Sequence, residues 1–158
     1  MNGYMNKALL VNLSENSIQT QDIPLSWYED FLGGEGLGVR MFYDHMDPSR
    51  EPLDPDTPVI FATGPLNGTS APEGGRLVLV FRSPATGTLG LSNVGGHFAP
   101  ALKKAGYDLL MVTGKAPNPV WLSIKDDKVS LEVASALWGQ RISTTEKAIK
   151  ERLGAKAQ

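Results

Sequence analysis

At 158 residues, 41% hydrophobic and 20% charged, the chain has the make-up of one ordinary globular domain, large enough to bury about two-thirds of its unfolded surface. A net charge of −2 and no basic patch interleaved with aromatics argue against nucleic acid as a partner, and apolar runs as short as LVLVF and LLMV fall far below the ~20 residues of a membrane span. The absence of cysteine removes disulfides, thiolate nucleophiles, zinc–thiolate sites and Cys-ligated iron–sulfur clusters together.

The N-terminal MNGYMNKALLVNL lacks the basic-then-apolar plan of a signal peptide, so a cytoplasmic protein is expected. Lys7–Leu13 and Ile18–Asp22 read as a β-hairpin turned at Glu15-Asn16. Ser26-Trp27-Tyr28-Glu29 has capping-box spacing, which predicts a short helix stopping at Gly33. Gly33-Gly34-Glu35-Gly36-Leu37-Gly38 fails as a dinucleotide fingerprint, because the sixth position from Gly34 is Val39 and a helix precedes it. It reads instead as a glycine turn feeding a second helix, Leu37–His45, with His45 at the surface or an interface. The proline-rich segment Asp47–Pro58 reads as a surface loop and delivers the chain into a buried strand, Val59–Thr63.

The turn Gly64–Thr69 lacks the lysine of a Walker loop and is left as a mobile or ligand-facing turn. Leu77–Phe81 reads as a second buried strand, closed by a solvent-facing Arg82. Ser83–Gly87 turns the chain, and Thr88–Ser92 returns as a strand broken at Asn93. From His97 a helix reaches Ala105, with Gly106 as its cap and Lys103 and Lys104 complementing the helix dipole. Leu109–Thr113 is a third apolar strand, and Val120–Ile124 with Val129–Glu132 forms a second hairpin across Asp126-Asp127. Ser143-Thr144-Thr145-Glu146, another capping box, starts a last helix that ends before Gly154, leaving a frayed AKAQ tail. About eight short strands paired as hairpins, with about four short helices inserted, predict a single β-rich α+β domain, antiparallel or mixed, rather than a doubly wound one.

The chemistry concentrates between Gly74 and Asp108. Paired glycines let a backbone approach a ligand closely, and N–H groups at a helix start suit phosphate. Arg76 beside Gly74-Gly75, and Asn93-Val94-Gly95-Gly96, therefore read as the floor of a phosphate-rich cofactor site. The plainer alternative is a tightly turned β scaffold in which Arg76 forms a strand-end ion pair of little energetic worth. His97, at a helix start, suits hydrogen bonding or solvent better than ligation. His45 and His97 lie in no metal-ligand motif, and no Ser/His/Asp, paired-carboxylate or Cys/His constellation emerges, so no catalytic or metal-ligating residue is assigned.

One ordered set of motifs spans nearly the whole chain: Gly33–Gly38, Phe61–Thr69, Ala71-Pro72, Gly75-Arg76, Ser83-Pro84 with Thr86-Gly87, Ser92-Asn93 with Gly95-Gly96, Leu102–Asp108, Gly114-Lys115 and Leu137-Trp138-Gly139. Together they resemble the amino-terminal domain of tungsten-containing aldehyde:ferredoxin oxidoreductases. The resemblance implies a base on which a tungsten (or molybdenum) bis-molybdopterin lies. It implies that Arg76 sits between the pterin and an iron–sulfur cluster, and that the backbone of Asn93 helps hold a magnesium bridging the two pterin phosphates. Arg76, Asn93, Gly95 and Gly96 are then the cofactor-binding residues, and a buried guanidinium would make planar, bidentate bonds to phosphate or pterin.

Two departures qualify the likeness. His97 stands where the family commonly has an aromatic such as Phe. The family's first domain also continues through a repeat-like second half with a second phosphate contact, and two helical domains then carry the cluster cysteines and acid–base residues. The expectation is a cofactor-binding domain or subunit of a pterin oxidoreductase acting on aldehydes, incomplete alone. It would work with a partner chain holding the iron–sulfur cluster and, through the complete enzyme, with ferredoxin. The alternative is a non-catalytic truncated relative serving as a binding or assembly module. Half of a pseudo-symmetric domain leaves an apolar edge exposed, so a homodimer is also expected.

Overall fold

The computed structural model describes residues 3–72, 74–125, 128–155 and 157. In chain order the elements are β1 (Lys7–Asn12), β2 (Ser17–Asp22), α1 (Leu25–Phe31), α2 (Gly34–His45), β3 (Val59–Thr63), β4 (Leu77–Arg82), β5 (Leu89–Val94), α3 (Phe98–Lys104), β6 (Leu109–Thr113), β7 (Val120–Lys125), β8 (Lys128–Val133) and α4 (Ile142–Leu153). Six strands form a mixed sheet in the order β2-β1-β6-β3-β4-β5, and β7 and β8 form a separate two-stranded sheet. In the six-stranded sheet, among the described residues, only the β1–β6 ladder is parallel. The α+β architecture is thus the expected one. Its residues fall into two compact units, Met1–Lys115 and Ala116–Gln158.

The core of the first unit forms where α1 and α2 lie on one face of the six-stranded sheet. Ile60, Ala62, Val78, Val80, Leu109 and Met111 supply the sheet side, and Tyr28, Leu37, Met41 and Phe42 the helical side. Alternation within each strand puts these residues on one face. A Cβ at Gly38 would lie 2.9 Å from Val80 Cγ2 and 3.0 Å from the Ala62 Cβ, so the missing side chain is what lets α2 seat directly on β3 and β4. On the opposite face, Phe98 of α3 meets Phe61 of β3 with ring centroids 6.1 Å apart.

Several local expectations are corrected by the structure. α1 begins after Pro24 with no side-chain cap, so Ser26 lies inside the helix. α2 starts at Gly34 rather than Leu37, with Glu35 in its first turn, where a carboxylate complements the dipole. β5 runs through Asn93 to Val94 because its antiparallel ladder continues to the Leu77–Val94 pair. Arg82 is not a solvent-facing charge. Its Nε donates to Gly87 O at 2.9 Å, and its terminal nitrogen donates to the carbonyls of Pro48 and Arg50, which clamps the β4–β5 turn to the loop before β3. α4 starts one residue before Ser143 and has no side-chain cap either. The Asp126-Asp127 turn, Lys156 and Gln158 lie outside the described residues.

The largest departure is Lys103, which points into the protein and is only 3% exposed. It pairs with Asp108, itself 0% exposed, instead of trailing into solvent at the end of α3. The other carboxylate oxygen of Asp108 accepts from Met5 N–H at 2.8 Å, Asn6 N–H at 2.7 Å and the Tyr28 hydroxyl at 2.8 Å. Its backbone carbonyl accepts from both the N–H and the hydroxyl of Thr63. Both carboxylate oxygens are therefore satisfied, the condition under which a buried charge is tolerable.

Burial, and then the bond to Asp108, push the Tyr28 hydroxyl well above its ordinary range. The folded state keeps this proton, so the stabilisation is complete below the unfolded value of about 10 and is lost as pH rises past it. Tyr28→Phe is expected to lower stability by about 1–2 kcal/mol at neutral pH. It should also flatten the alkaline loss of stability above pH ~10. Urea midpoints measured against pH check both, and an alkaline slope identical to that of the wild-type chain would contradict them.

Candidate functional site

The register of β3, β4 and β5 gathers three loop segments at one end of the sheet. Thr63 pairs with Leu77, and Leu77 pairs with Val94. The segment after β3, the segment before β4 and the turn after β5 therefore emerge together. Arg76 immediately precedes Leu77 and Gly95 immediately follows Val94, which sets the two opposite each other in the antiparallel register. A Cβ at Gly75 would stand 2.8 Å from Gly96 O, so the two glycine segments touch through their backbones. Only a residue without a side chain fits at Gly75.

All four residues expected to bind a cofactor are at this sheet end, and all four are exposed. Asn93 lies on β5 opposite Val78, within the ladder and not beyond it. Gly95 and Gly96 face open space, with nothing within 4 Å of where a Cβ would stand. Gly96 adopts a positive φ of 126°, which lets the chain leave the edge strand and enter α3. Arg76 is not buried, as its planar-bonding role would have it. Its guanidinium reaches the surface, and among the described residues its side chain makes no hydrogen bond or ion pair. His97 is exposed at the N-cap of α3, and its carbonyl accepts from Ala101 N–H at 3.0 Å. The site is an open platform. Two concavities of about 300 and 480 Å³ flank α2, and none of the four residues lines either.

The loop between β3 and β4 closes the platform from below. Sequence leaves Gly64–Thr69 as mobile or ligand-facing, yet Asn67 in its middle is only 5% exposed. Its side chain holds Gly64, Gly74 and Arg76 together through three hydrogen bonds. The glycine motif at the start of α2 lies against the same loop, where a Cβ at Gly33 would come 3.0 Å from Pro65 Cδ. Sequence reasoning overlooks Asn67, Lys103 and Asp108. A usable signal exists for Lys103, since it shares the helix stripe of Ala99 and Leu102, both buried. None exists for Asn67, because its bonds span a loop whose path the sequence does not state.

A family model described as the aldehyde ferredoxin oxidoreductase N-terminal domain matches residues 8–158. The chain is 44% identical over 156 residues to a tungsten-containing aldehyde ferredoxin oxidoreductase of Pyrococcus abyssi, covering 99% of this chain and 26% of that protein. It is 30% identical over 142 residues to an aliphatic sulfonate oxidoreductase, WOR-like subunit, of Pyrococcus furiosus, covering 88% of this chain and 22% of that protein. Among solved structures, a chain of the active-site complex BamBC of benzoyl coenzyme A reductase, in complex with 1,5-dienoyl-CoA, superimposes with a TM-score of 0.94 at 35% identity, over 98% of this chain and 24% of that one. The chain therefore spans about a quarter of the length of these relatives.

The contact between the two glycine segments generates a contrast. Gly75→Ala places a methyl against a carbonyl and is expected to lower stability by about 1–3 kcal/mol. Gly95→Ala points into open space at an ordinary backbone angle and should stay within about 0.5 kcal/mol of the wild-type chain. Thermal unfolding of the two variants checks this. Equal losses would mean that the segments do not meet as described.

Proposed function

The chain belongs to the aldehyde ferredoxin oxidoreductase N-terminal domain family, and from that premise we propose that it is the base on which a tungsten- or molybdenum-containing bis-pterin cofactor rests. One observation carries the reading. Arg76, just before β4, and Asn93, Gly95 and Gly96, at the end of β5, share one open end of the sheet. The donor set suits the group. A guanidinium bonds phosphate or pterin in plane, and side-chain-free backbone at Gly95-Gly96 admits an anion closely. β5 is the edge of the sheet, so part of the backbone around Asn93 points away from the ladder and leaves oxygens for a bridging magnesium.

When bound, the metal–pterin group supplies the redox centre. The chain's own part is to hold it: Arg76 neutralises anionic charge, and the platform leaves its upper side to a covering chain. These residues include no cysteine, so the ligands of an iron–sulfur cluster, and the contact with ferredoxin, come from elsewhere in the assembly. The substrate is proposed as an aldehyde, after the more similar relatives. Relatives named for aliphatic sulfonates and benzoyl coenzyme A share the same base, which fits a division in which the covering chain selects the substrate. Leu89, Leu91 and Val94 are exposed along the β5 edge, and we propose a second copy there. Light scattering at micromolar concentration should give a dimer, and a clean monomer would count against it.

Native isolation followed by metal and pterin analysis tests the main reading. Tungsten or molybdenum is expected with the chain or its complex, and Arg76→Ala should lower the metal content several-fold without shifting the unfolding midpoint. Finding neither metal in the natively isolated complex would sink the cofactor reading and favour a binding or assembly module.

A further inference from the structure

The residue that decides where Arg76 stands is not among the four contacts. Asn67 lies within the loop joining β3 to β4 and is 5% exposed. Its Oδ1 accepts from Gly64 N–H at 2.6 Å, just past the end of β3. Its Nδ2 donates to Gly74 O at 2.7 Å and to Arg76 O at 3.0 Å, just before β4 begins. One amide thus spans the loop from its first residue to its last and spends both donors on it. A side chain with the opposite donor pattern fails here. A carboxylate would keep the bond to Gly64 but face two carbonyl oxygens with no proton to offer.

The second restraint comes from the far side. Gly75, between the two carbonyls that Asn67 binds, is held against Gly96 O. The backbone that carries Arg76 is therefore gripped by Asn67 beneath and by the Gly95-Gly96 turn beside it. A long side chain such as arginine gains an anion cheaply only when its root is fixed, because ordering flexible torsions opposes binding.

We infer that Asn67 is the positioning residue of Arg76. Its three hydrogen bonds set the place from which the guanidinium meets an anion, and they couple that place to the Gly95-Gly96 turn. This rests on the cofactor-base reading, and it predicts that a residue touching no ligand controls anion affinity.

The test uses the full chain and inorganic pyrophosphate as the probe, with backbone amide and Arg76 Nε–H resonances followed by NMR. In the wild-type chain, millimolar pyrophosphate should shift Gly95, Gly96 and the Arg76 side chain together. Asn67→Asp should weaken that affinity about tenfold, on the scale of one charge-assisted hydrogen bond. It should also displace the Arg76 Nε–H resonance before any anion is added. Asn67→Ser, which keeps one donor and one acceptor, should fall between the two and serves if Asn67→Asp fails to fold. Val11→Ala is the control for stability alone: it opens a cavity in β1, which β6 and β3 separate from the strands of the platform, and it should leave pyrophosphate affinity unchanged. Wild-type affinity in folded Asn67→Asp, with affinity lost in Arg76→Ala, would overturn the inference and leave the cofactor reading standing. No response at Gly95, Gly96 or Arg76 in the wild-type chain would overturn the reading itself, and this inference with it.

Discussion

The first unit depends on one buried ion, the carboxylate of Asp108. It joins three parts of the chain that are distant in sequence, the segment entering β1 through Met5 and Asn6, α1 through Tyr28 and α3 through Lys103, while the backbone carbonyl of the same residue holds β3 through Thr63. A charge removed from water costs several kcal/mol unless its partners are complete, and losing one partner of such a pair costs about 3–5 kcal/mol. Completeness here requires all three parts in place at once. A slip of any one leaves a buried charge or a buried ammonium without a partner, so the network penalises alternative packings more than it rewards the native one.

That constraint reaches the platform through α3. The helix carries Lys103 near its end and receives the chain from Gly95-Gly96 at its start. Anchoring one end of a seven-residue helix fixes the other to within small fluctuations. Thr63, bonded to the Asp108 carbonyl, is also the last residue of β3 and the neighbour of Gly64, where the Asn67 clasp begins. The buried ion pair and the exposed platform are thus two ends of one arrangement. The buried end holds its geometry by desolvation and the exposed end keeps its polar groups available. The platform residues Arg76, Asn93, Gly95 and Gly96 are all exposed, with open space beside both glycines of the turn.

The strands and helices were largely legible because their signals are local. Alternating or continuous apolar runs mark Val59–Thr63, Leu77–Arg82 and Leu109–Thr113, and glycine and proline punctuate them. Helix starts were less legible. The capping boxes at Ser26 and Ser143 are local preferences worth about 1 kcal/mol, and neither α1 nor α4 starts on its serine or makes a side-chain cap. Asn93 looked like a strand breaker, but pairing with Val78 along an existing ladder outweighs its weak β propensity. Arg82 reads from sequence as a solvent-facing charge and Lys103 as a complement to the helix dipole. Each is held by groups from elsewhere in the chain, the one by carbonyls of the loop before β3 and the other by Asp108.

From sequence alone came the α+β class and the order of elements, because each rests on residue types at short range, and the family likeness, because its motifs keep their order along the chain. The tertiary structure alone decided that Gly75 touches Gly96, that Arg76 is exposed and unpaired among the described residues, and that Asn67 and Asp108 are the buried polar anchors. The reason is physical. A hydrogen bond between Asn67 and Arg76, or an ion pair sealed by Met5 and Tyr28, exists only once strand register has brought distant backbone together, and no local pattern encodes that meeting.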